Sequence, residues 1–379
     1  NREKLLDVGK RMLQTIGLMS GTSLDGIDAV LCRFDQAGTP QLEASASMPL
    51  PPKLRQMLWG LTQPASNELN TMLVAERQLT QCYAELVLAL LQKNQIRPDA
   101  IAAVGCHGQT IRHQSIDDAM YTLQLGDMHW LSVKLGIPCV GDFRRADIAL
   151  GGQGAPLLPG FHDKVFRSLQ ENRAVVNIGG IANVTLLPKE TNAPVKGFDT
   201  GPGNGLMDSW VERCWHNPFD KDGMRAKQGN VHQGLLAACL ADPYFALLPP
   251  KSTGRDSFHL DWLFAQYDLT DIDQHDVLAT LLALTAHAIA DAINANQPDT
   301  QRLILCGGGV YNTTLVQAIE SYLPQMQVQS SEVYGLAPQW VEACGFAWLA
   351  YRRLMRLQGN LPAVTGARQG GILGMLCVQ

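Results

Sequence analysis

With 379 residues, 46% of them hydrophobic and 17% charged, the chain has the composition of a globular protein with a large core and room for two or three domains. A net charge of −5 and a pI of about 6.0 are untypical of a nucleic-acid-binding surface, which carries a basic excess. No run approaches the roughly 18 consecutive apolar residues of a membrane helix, so we expect neither a nucleic-acid nor a membrane partner.

The N-terminus and the cysteines both predict a cytoplasmic protein. The opening string NREKLLDVGKRMLQ has no apolar stretch of the kind that signal peptides carry. The nine cysteines are scattered without a CxxC pair, which is typical of reduced thiols in a cytosolic core and does not support a zinc site.

The first predicted element is a hairpin at 16–34, with the sequence IGLMSGTSLDGIDAVLCRF. An apolar strand at 16–19 enters a small polar turn at 20–26, and a second strand leaves it at 27–34. Exposed N–H groups and hydroxyls make such a turn suited to an anion. Asp25 and Asp28 are compatible with a phosphate only if a divalent cation such as Mg²⁺ lies between them. The turn therefore predicts a Mg-nucleotide site, and an ordinary hairpin with turn-forming residues is the alternative.

The rest of the chain alternates strands and helices, which predicts an α/β fold. In the first half we expect strands at 41–47, 100–105, 121–125 and 137–141, and helices at 69–94 and 127–135. In the second half we expect strands at 174–178, 184–187 and 302–306, and helices at 205–215, 276–295, 311–323 and 339–357. A strand–turn–strand unit occurs in both halves. We therefore predict two similar domains facing each other across a cleft, one at 1–145 with 356–379 and one at 146–355.

Three glycine-rich turns follow apolar strands, at 20–26, 179–183 and 307–309. This set of turns resembles the actin-like ATPase superfamily of sugar kinases, Hsp70 and actin, and a Walker A loop is absent. The resemblance implies a two-domain actin-like, ribonuclease H-like duplicated ATPase fold with a central nucleotide and sugar cleft. In such a fold two hairpins hold the phosphates and the late turn packs against adenosine. The ATP-binding residues that it implies are Gly21, Thr22, Ser23, Leu24, Asp25, Gly26, Ile27, Asp28, Asn177, Gly179, Gly180, Gly307, Gly308 and Gly309.

The metal-binding carboxylate is where the chain departs from that superfamily. Many members carry an Asp inside the first strand, whereas this chain has Met19 or Ser20 at that position. Asp25, Asp28 and Asp199 are the candidates that remain. We expect Asp25 and Asp28 to bind Mg²⁺, because both belong to the phosphate hairpin.

Six strings span most of the chain: MSGTSLDGID (19–28), CHGQT (106–110), GDFRRADIALGGQGAPLLP (141–159), NIGGIANVT (177–185), FDTGPGN (198–204) and CGGGVYN (306–312). Together they resemble the bacterial anhydro-N-acetylmuramic acid kinases, in the family's order over about residues 14–355. The resemblance implies an ATP-dependent kinase that opens the 1,6-anhydro ring of the amino sugar with water and phosphorylates O6. The implied products are N-acetylmuramic acid 6-phosphate and ADP, in murein recycling and amino sugar catabolism. The family also implies a homodimer.

Asp199 is the candidate catalytic residue. It follows an apolar strand and precedes a helix, within the Gly- and Pro-rich string FDTGPGN. Ring opening needs a base that activates water at the anomeric carbon, and a carboxylate on a rigid turn can serve. The alternative is a helix N-cap, because Asp is favoured there and its charge suits the helix dipole.

The sugar of that family carries a lactyl carboxylate and an N-acetyl group, which call for cationic and hydrogen-bonding partners. The substrate-binding candidates, from the motif turns and the last long helix, are His107, Gln109, Arg144, Asp147, Gln153 and Glu342. A place at the surface or behind the site is the alternative for each of them. The loops at 242–245 and 251–258 are candidates for one wall of the sugar pocket, with Lys251 and Arg255 as candidate partners of a phosphate or carboxylate.

Three other functions stay open from the residues alone. A related kinase would act on a reducing hexose or a carboxylate, without ring opening. An ATP-driven switch of this fold would hydrolyse ATP slowly and act on a protein partner. A glycosidase would pair Asp199 with a second carboxylate.

Overall fold

The computed structural model describes residues 12–21, 24–116, 119–254 and 257–378. In chain order the strands are β1 (Leu13–Ser20), β2 (Gly26–Phe34), β3 (Pro40–Pro49), β4 (Ala103–Cys106), β5 (Gln109–Ile116), β6 (Ala119–Leu125), β7 (Cys139–Gly141), β8 (Arg173–Ile178), β9 (Ile181–Leu187), β10 (Lys196–Pro202), β11 (Arg302–Cys306), β12 (Gln327–Ser330) and β13 (Met375–Cys377). The helices are α1 (Pro52–Gly60), α2 (Glu68–Lys93), α3 (Met128–Leu135), α4 (Phe143–Ala149), α5 (Pro159–Phe166), α6 (Asn204–Trp215), α7 (Gln233–Leu240), α8 (Pro243–Ala246), α9 (Leu260–Gln266), α10 (Gln274–Asn296), α11 (Thr313–Tyr322), α12 (Val341–Leu354) and α13 (Pro362–Thr365).

The chain packs into two compact units. Unit 1 contains the described residues up to Val165 and from Trp340 onward, and unit 2 is Phe166–Gln339. The sequence-based boundaries, 145/146 and 355/356, divide α4 and put α5 and α12 with the second domain. In the structure α12 belongs to unit 1, because it packs across β1 and β4.

The sheet of unit 1 has the strand order β13-β7-β4-β1-β2-β3. The predicted hairpin is present as β1 paired antiparallel with β2, with Leu13 opposite Phe34 and Ser20 opposite Ile27. The third strand pairs antiparallel with β2, while β4 is parallel to β1 and β7 is parallel to β4. Strands β5 and β6 form a separate two-stranded ribbon.

The sheet of unit 2 has the order β10-β9-β8-β11-β12. Its first three strands are again an antiparallel meander, and β11 and β12 are parallel to β8 and β11. Both sheets therefore have the same strand order. It reads β3-β2-β1-β4-β7 in unit 1 and β10-β9-β8-β11-β12 in unit 2, so that an antiparallel three-stranded meander is followed by two parallel strands. This confirms the predicted duplicated, actin-like α/β fold.

Helix α2 covers unit 1 through an apolar stripe. On this helix the apolar side chains of Leu79, Tyr83, Leu86 and Leu90 are buried, whereas that of Leu73 is 54% exposed. An apolar residue that fits the 3.6-residue period of a helix is therefore not always a buried one. Burial also requires a partner for that turn of the helix, and the sequence pattern does not carry this information.

Helix α12 lies unusually close to the sheet of unit 1, over two glycines that are register partners. Gly17 on β1 is opposite Gly105 on β4. A Cβ on Gly17 would lie 1.9 Å from the Ala343 carbonyl oxygen, and a Cβ on Gly105 would lie 2.2 Å from that of Phe346. Only glycine lets the helix backbone come so close to the strands.

Helix α10 is the one helix, among those the structure describes, that is long and apolar enough to cross a membrane. Of the stretch that meets this criterion, 78% is buried inside the protein. Its buried side chains, such as Leu281, Leu284 and Ile289, belong to the apolar core of unit 2. The helix is thus the central core helix of this unit.

Candidate functional site

The first hairpin turn lies between β1 and β2. The structure describes Gly21 and residues 24–28 of the predicted phosphate site, and Thr22 and Ser23 lie outside the described residues. The Leu24 N–H donates to the Gly21 carbonyl at 3.2 Å, and Leu24 has a φ of +57°. A non-glycine residue in the left-handed region is uncommon, so Leu24 is a distinctive residue of this hairpin.

The side chains at the end of this turn point into the core. Leu24 and Ile27 are 1% and 0% exposed. A Cβ on Gly26 would lie 2.7 Å from the Met48 carbonyl oxygen on β3, so glycine is required for the strands to pair there. The turn can therefore meet a ligand through its backbone, but not through the side chains of Leu24 and Ile27.

The two predicted metal ligands differ in environment. The Asp25 carboxylate is exposed and pairs loosely with Arg55, with 3.6 Å between Oδ1 and Nη2. Asp28 accepts a 2.6 Å hydrogen bond from the Ser47 hydroxyl at Oδ1. Burial raises the pKa of the Asp28 carboxyl, and the Ser47 hydrogen bond opposes this shift. Among the described residues, no group of three or more His, Cys, Asp and Glu side chains could hold a metal ion.

Three predicted sugar-binding residues cluster where β1 and β4 end. The Ser20 hydroxyl hydrogen-bonds the buried Gln109 side chain. The His107 N–H donates to the Leu18 carbonyl at 3.0 Å, which joins the segment after β4 to β1. Arg144 reaches His107, with 2.8 Å between Nη2 and Nε2.

The imidazole of His107 is held neutral. Its ring lies 4.6 Å from the Phe346 ring, centre to centre, and the residue is only 6% exposed. Burial lowers the pKa of His107 to about 3, and the positive charge of Arg144 acts in the same direction. At neutral pH the cation of this cluster is therefore Arg144 and not His107.

Asp147 and Gln153 shape the loop that follows α4. The Asp147 carboxylate is fully buried and accepts hydrogen bonds from the Gly154 N–H at 2.8 Å, the Thr365 hydroxyl at 2.7 Å and the Asn360 amide. The Gln153 N–H donates to the Thr365 carbonyl at 2.8 Å. With these contacts Asp147 acts as a support for the loop, next to the site rather than in it.

Glu342 lies in the first turn of α12, where its charge suits the helix dipole. It stands four residues before Phe346, so the two side chains share a helix face. Because Phe346 packs against His107, this is the face of α12 nearest the cluster of His107 and Arg144. The sequence placed Glu342 in the other domain, but it belongs to unit 1.

In unit 2 the second hairpin turn, between β8 and β9, is tied to the start of α6. The Gly179 carbonyl accepts the Asn204 N–H at 2.7 Å, and the Gly180 carbonyl accepts the N–H groups of Gly203 and Gly205 at 3.0 Å each. A Cβ on Gly203 would lie 2.3 Å from the Gly179 carbonyl oxygen. The turn and the helix terminus thus form one rigid piece.

The glycine turn at 307–309 packs on the end of β8, next to the second hairpin turn. Gly307 has a φ of +82°, and a Cβ there would lie 2.4 Å from Asn177 Oδ1. A Cβ on Gly309 would lie 2.3 Å from Ile178 Cγ2, whereas Gly308 is exposed and a Cβ there would make only an ordinary contact, 3.9 Å from Asn204 Nδ2. The structure therefore brings together the predicted second phosphate turn and the predicted adenosine turn.

Asp199 lies within β10 and not at a helix cap. Helix α6 begins at Asn204 with Gly203 as its N-cap residue, which excludes the capping alternative. The β10–β9 register shifts between Asp199 and Gly201, a local irregularity that can re-aim a side chain. The Asp199 Oδ2 atom accepts the Thr253 N–H at 2.9 Å.

The contacts of Asp199 come from residues that were not assigned to it from the sequence. The Tyr244 hydroxyl donates to the Asp199 carbonyl at 2.7 Å, and the Asp199 N–H donates to the Lys251 carbonyl at 3.2 Å. These residues lie in the two loops that the sequence singled out as a pocket wall. Their pairing with Asp199 has no local signal, because 45 or more residues separate them.

Comparison with known proteins gives a consistent result. The family described as anhydro-N-acetylmuramic acid kinase matches residues 13–379, including the tail beyond 360 that the six strings leave out. The anhydro-N-acetylmuramic acid kinase of Xylella fastidiosa is 47% identical over 364 residues, covering 95% of each chain. That of Saccharophagus degradans is 46% identical, covering 95% of this chain and 97% of its own.

Solved structures give more distant likenesses. A ROK family glucokinase from Streptomyces griseus, in complex with glucose and AMPPNP, is 14% identical with a TM-score of 0.39, covering 89% of this chain and 99% of its own. The component A of (R)-2-hydroxyglutaryl-CoA dehydratase from Acidaminococcus fermentans is 11% identical with a TM-score of 0.49, covering 90% of this chain and 99% of its own. Likenesses this distant say nothing about the site.

Proposed function

The chain belongs to the anhydro-N-acetylmuramic acid kinase family of phosphotransferases with an alcohol acceptor, and from this premise we propose its reaction. The substrate is 1,6-anhydro-N-acetylmuramic acid. Water adds to C1 as the bond from C1 to O6 breaks, and O6 takes the γ-phosphoryl group of ATP. The products are N-acetylmuramic acid 6-phosphate and ADP, which places the protein in murein recycling and amino sugar catabolism.

Asp199 is the proposed general base of ring opening. Its carboxylate takes one proton from the attacking water, so that the new hydroxyl at C1 and the new phosphate ester at O6 form without a free proton in the site. The anchor of Oδ2 on the Thr253 N–H supports this role, because a base must be held in one orientation towards the water. The position of Asp199 within a strand rather than at a helix cap also supports it.

The nucleotide contacts follow the three turns. Gly307, Gly308 and Gly309 are proposed to face adenosine, and the exposed backbone at Gly308 supports this. The turn at Asn177, Gly179 and Gly180 is the proposed second phosphate site, and the turn at 21–28 is the proposed first one. Peptide N–H groups of such turns bind phosphate without a cationic side chain.

Mg²⁺ is the proposed metal, held through Asp25 and Asp28 together with phosphate oxygens and water. The chemistry of these two carboxylates fits, since Mg²⁺ takes one or two of them and keeps several waters. Asp25 fits best, because its carboxylate is exposed and its ion pair with Arg55 is loose. The bound metal would neutralise charge on the transferred phosphoryl group.

For the sugar, Arg144 is the proposed partner of the lactyl carboxylate, and Gln109, Gln153 and Glu342 are proposed to bind amide or hydroxyl groups. His107, neutral and buried against Phe346, is proposed to orient Arg144 as well as to contact the sugar. Asp147, with its carboxylate inside the fold, is proposed to act through the loop at 150–154.

We also propose a homodimer in the cytoplasm. All nine cysteines are free thiols and eight of them are buried, which supports a reducing compartment. The dimer rests on family resemblance, and light scattering after size exclusion would measure it directly.

The deciding experiment measures ADP formation with Mg-ATP and three sugars: 1,6-anhydro-N-acetylmuramic acid, N-acetylmuramic acid and glucose. Turnover of the anhydro sugar alone, with a product heavier than the substrate by one phosphoryl group (HPO3) and one water, is the expected result. Preference for a reducing sugar would refute ring opening. Slow ADP formation that is independent of sugar would indicate an ATP-driven switch.

Asp199→Asn tests the base. Turnover is expected to fall by about 10²- to 10⁴-fold, the usual contribution of a positioned base, while the Kd for ATP stays within about twofold. Asp271→Asn, at an exposed loop position in the same unit, is the matched control and should keep wild-type turnover. Loss of ATP binding in Asp199→Asn would refute the role of Asp199 as base.

A further inference from the structure

The segment 242–254 of unit 2 is held in shape by contacts among its own residues and with Phe258 and Trp262, which follow it in the chain. Asp242 accepts the Tyr244 N–H at 2.9 Å and the Trp262 indole N–H at 2.8 Å. The Tyr244 ring packs edge-on against Phe258, with 5.4 Å between centres, and Phe258 packs in the same way against Trp262 at 5.0 Å. Edge-to-face aromatic pairs add to the energy of area burial, so this segment has a defined shape.

The buried Lys251 side chain links the two ends of the segment through hydrogen bonds. The residue is 9% exposed, and its ammonium donates to the Tyr244 carbonyl at 3.2 Å and to the Phe245 carbonyl at 3.4 Å. The same ammonium lies 4.6 Å from the centre of the Tyr244 ring. Burial lowers the pKa of Lys251 and the charge of Asp199 raises it. The Lys251 ammonium therefore points into the segment. The sequence had instead made it a candidate partner of a phosphate or carboxylate. Arg255, the other candidate, lies outside the described residues.

The segment covers the free edge of the sheet at Asp199. Strand β10 is the edge strand of the sheet. On its unpaired side the Asp199 N–H donates to the Lys251 carbonyl, and the Asp199 carbonyl accepts the Tyr244 hydroxyl. The Asp199 carboxylate is taken by the Thr253 N–H. One segment therefore contacts all three polar groups of this residue. Burial raises the pKa of the Tyr244 hydroxyl and the charge of Asp199 raises it further, so Tyr244 stays a donor.

A glycine makes this contact possible. Gly201 has a φ of +149°, and a Cβ there would lie 2.8 Å from the Phe245 ring. The Phe245 ring occupies the space that a side chain at position 201 would need. The segment therefore packs directly on β10, two residues from Asp199. No other residue type combines this backbone conformation with this space.

We propose that Tyr244 and Lys251 are positioning residues that orient the Asp199 carboxylate through the segment 242–254. This inference rests on the proposed function of Asp199. Tyr244 holds the backbone of Asp199, and Lys251 holds the loop that brings the Thr253 N–H to the carboxylate. Neither residue takes part in proton or phosphoryl transfer.

Tyr244→Phe and Lys251→Met test the proposal by steady-state kinetics. Since a misplacement of about 1 Å can cost about 10²-fold in rate, we expect kcat to fall roughly 10- to 100-fold, with KM for ATP and for sugar within about twofold. Tyr322→Phe is the matched control in the same unit, because Tyr322 is 36% exposed and its ring packs against that of His287, away from the segment 242–254 in the sequence. It should keep wild-type kcat.

Two further measurements separate positioning from general damage. In the Asp199→Asn background, Tyr244→Phe should have no additional effect, because the two residues act as one unit. Amide hydrogen exchange of a peptide that contains Thr253 should be faster in Lys251→Met than in Tyr322→Phe. Additive losses in the double variant, wild-type kcat in Tyr244→Phe, or unchanged exchange at Thr253 would each overturn the proposal. An inactive wild type on the anhydro sugar would instead overturn the proposed function, and the exchange result would still decide this inference.

Discussion

The contact of α12 with the sheet of unit 1 gives the sharpest prediction for stability. In Gly105→Ala the new Cβ would lie 2.2 Å from the Phe346 carbonyl oxygen and 2.8 Å from Ala350 Cβ, where about 3.4 Å is ordinary contact. The helix must therefore retreat by about 1.2 Å, because a backbone oxygen cannot rotate away. Overpacking costs about 1–3 kcal/mol, and we expect the upper end here.

For a unit of about 200 residues, a loss of about 3 kcal/mol lowers Tm by roughly 6–12 °C. Calorimetry measures this, with Gly60→Ala as the control, because a Cβ on Gly60 has no neighbour within 4 Å. The control should melt at the wild-type temperature or slightly above. Since α12 carries Phe346 and Glu342, Gly105→Ala should also lower kcat/KM for the sugar. A Tm within 1 °C of the control would refute the close packing of α12 on β4.

Two further predictions concern charge in unit 1. Burial, and to a smaller extent the charge of Arg144, lower the pKa of His107 to about 3 in the folded protein. Below the ordinary pKa of histidine, the unfolded chain therefore binds a proton at this residue that the folded chain does not bind. Between pH 6.5 and 4.5 the wild type should therefore lose about 2 kcal/mol more unfolding free energy than His107→Gln, and equal losses in urea titrations would contradict this. Asp25→Asn should raise the Mg²⁺ concentration for half-maximal turnover about tenfold, since a carboxylate is a better Mg²⁺ ligand than an amide. A metal requirement equal to that of the control Asp99→Asn, an exposed carboxylate of the same unit, would exclude Asp25 as a ligand.

Much of the fold could be predicted, because local chemistry determines it. The hairpin at 16–34, the long helix at 69–94 and the second hairpin from 174 follow from periodicity and turn residues, and the structure has them within a few residues. The predicted duplication of an α/β domain is confirmed by one strand order in both units. Helix α4 (Phe143–Ala149) is not among the predicted elements, because seven residues are too few to show a clear helical period.

The candidate site was predictable in its parts but not in its assembly. The string FDTGPGN identified Asp199, but its partners Tyr244, Lys251 and Thr253 meet it only because the segment 242–254 covers the edge of the sheet. Asp147 was expected to face the sugar, whereas the structure surrounds it with backbone and side-chain donors from two loops. Such contacts depend on where distant loops return, and no short pattern encodes that.

The amino-acid sequence by itself determined the long helices, the main core strands, the three glycine turns and the family, because these depend on neighbouring residues and on short strings. The tertiary structure alone decided why particular glycines are required. Gly17 and Gly105 look like ordinary strand residues, yet they meet the backbone of a helix more than 200 residues away. The tertiary structure likewise decided which groups hold Asp199. In both cases the deciding quantity is a distance of a few ångströms between backbones that only the packed chain brings together.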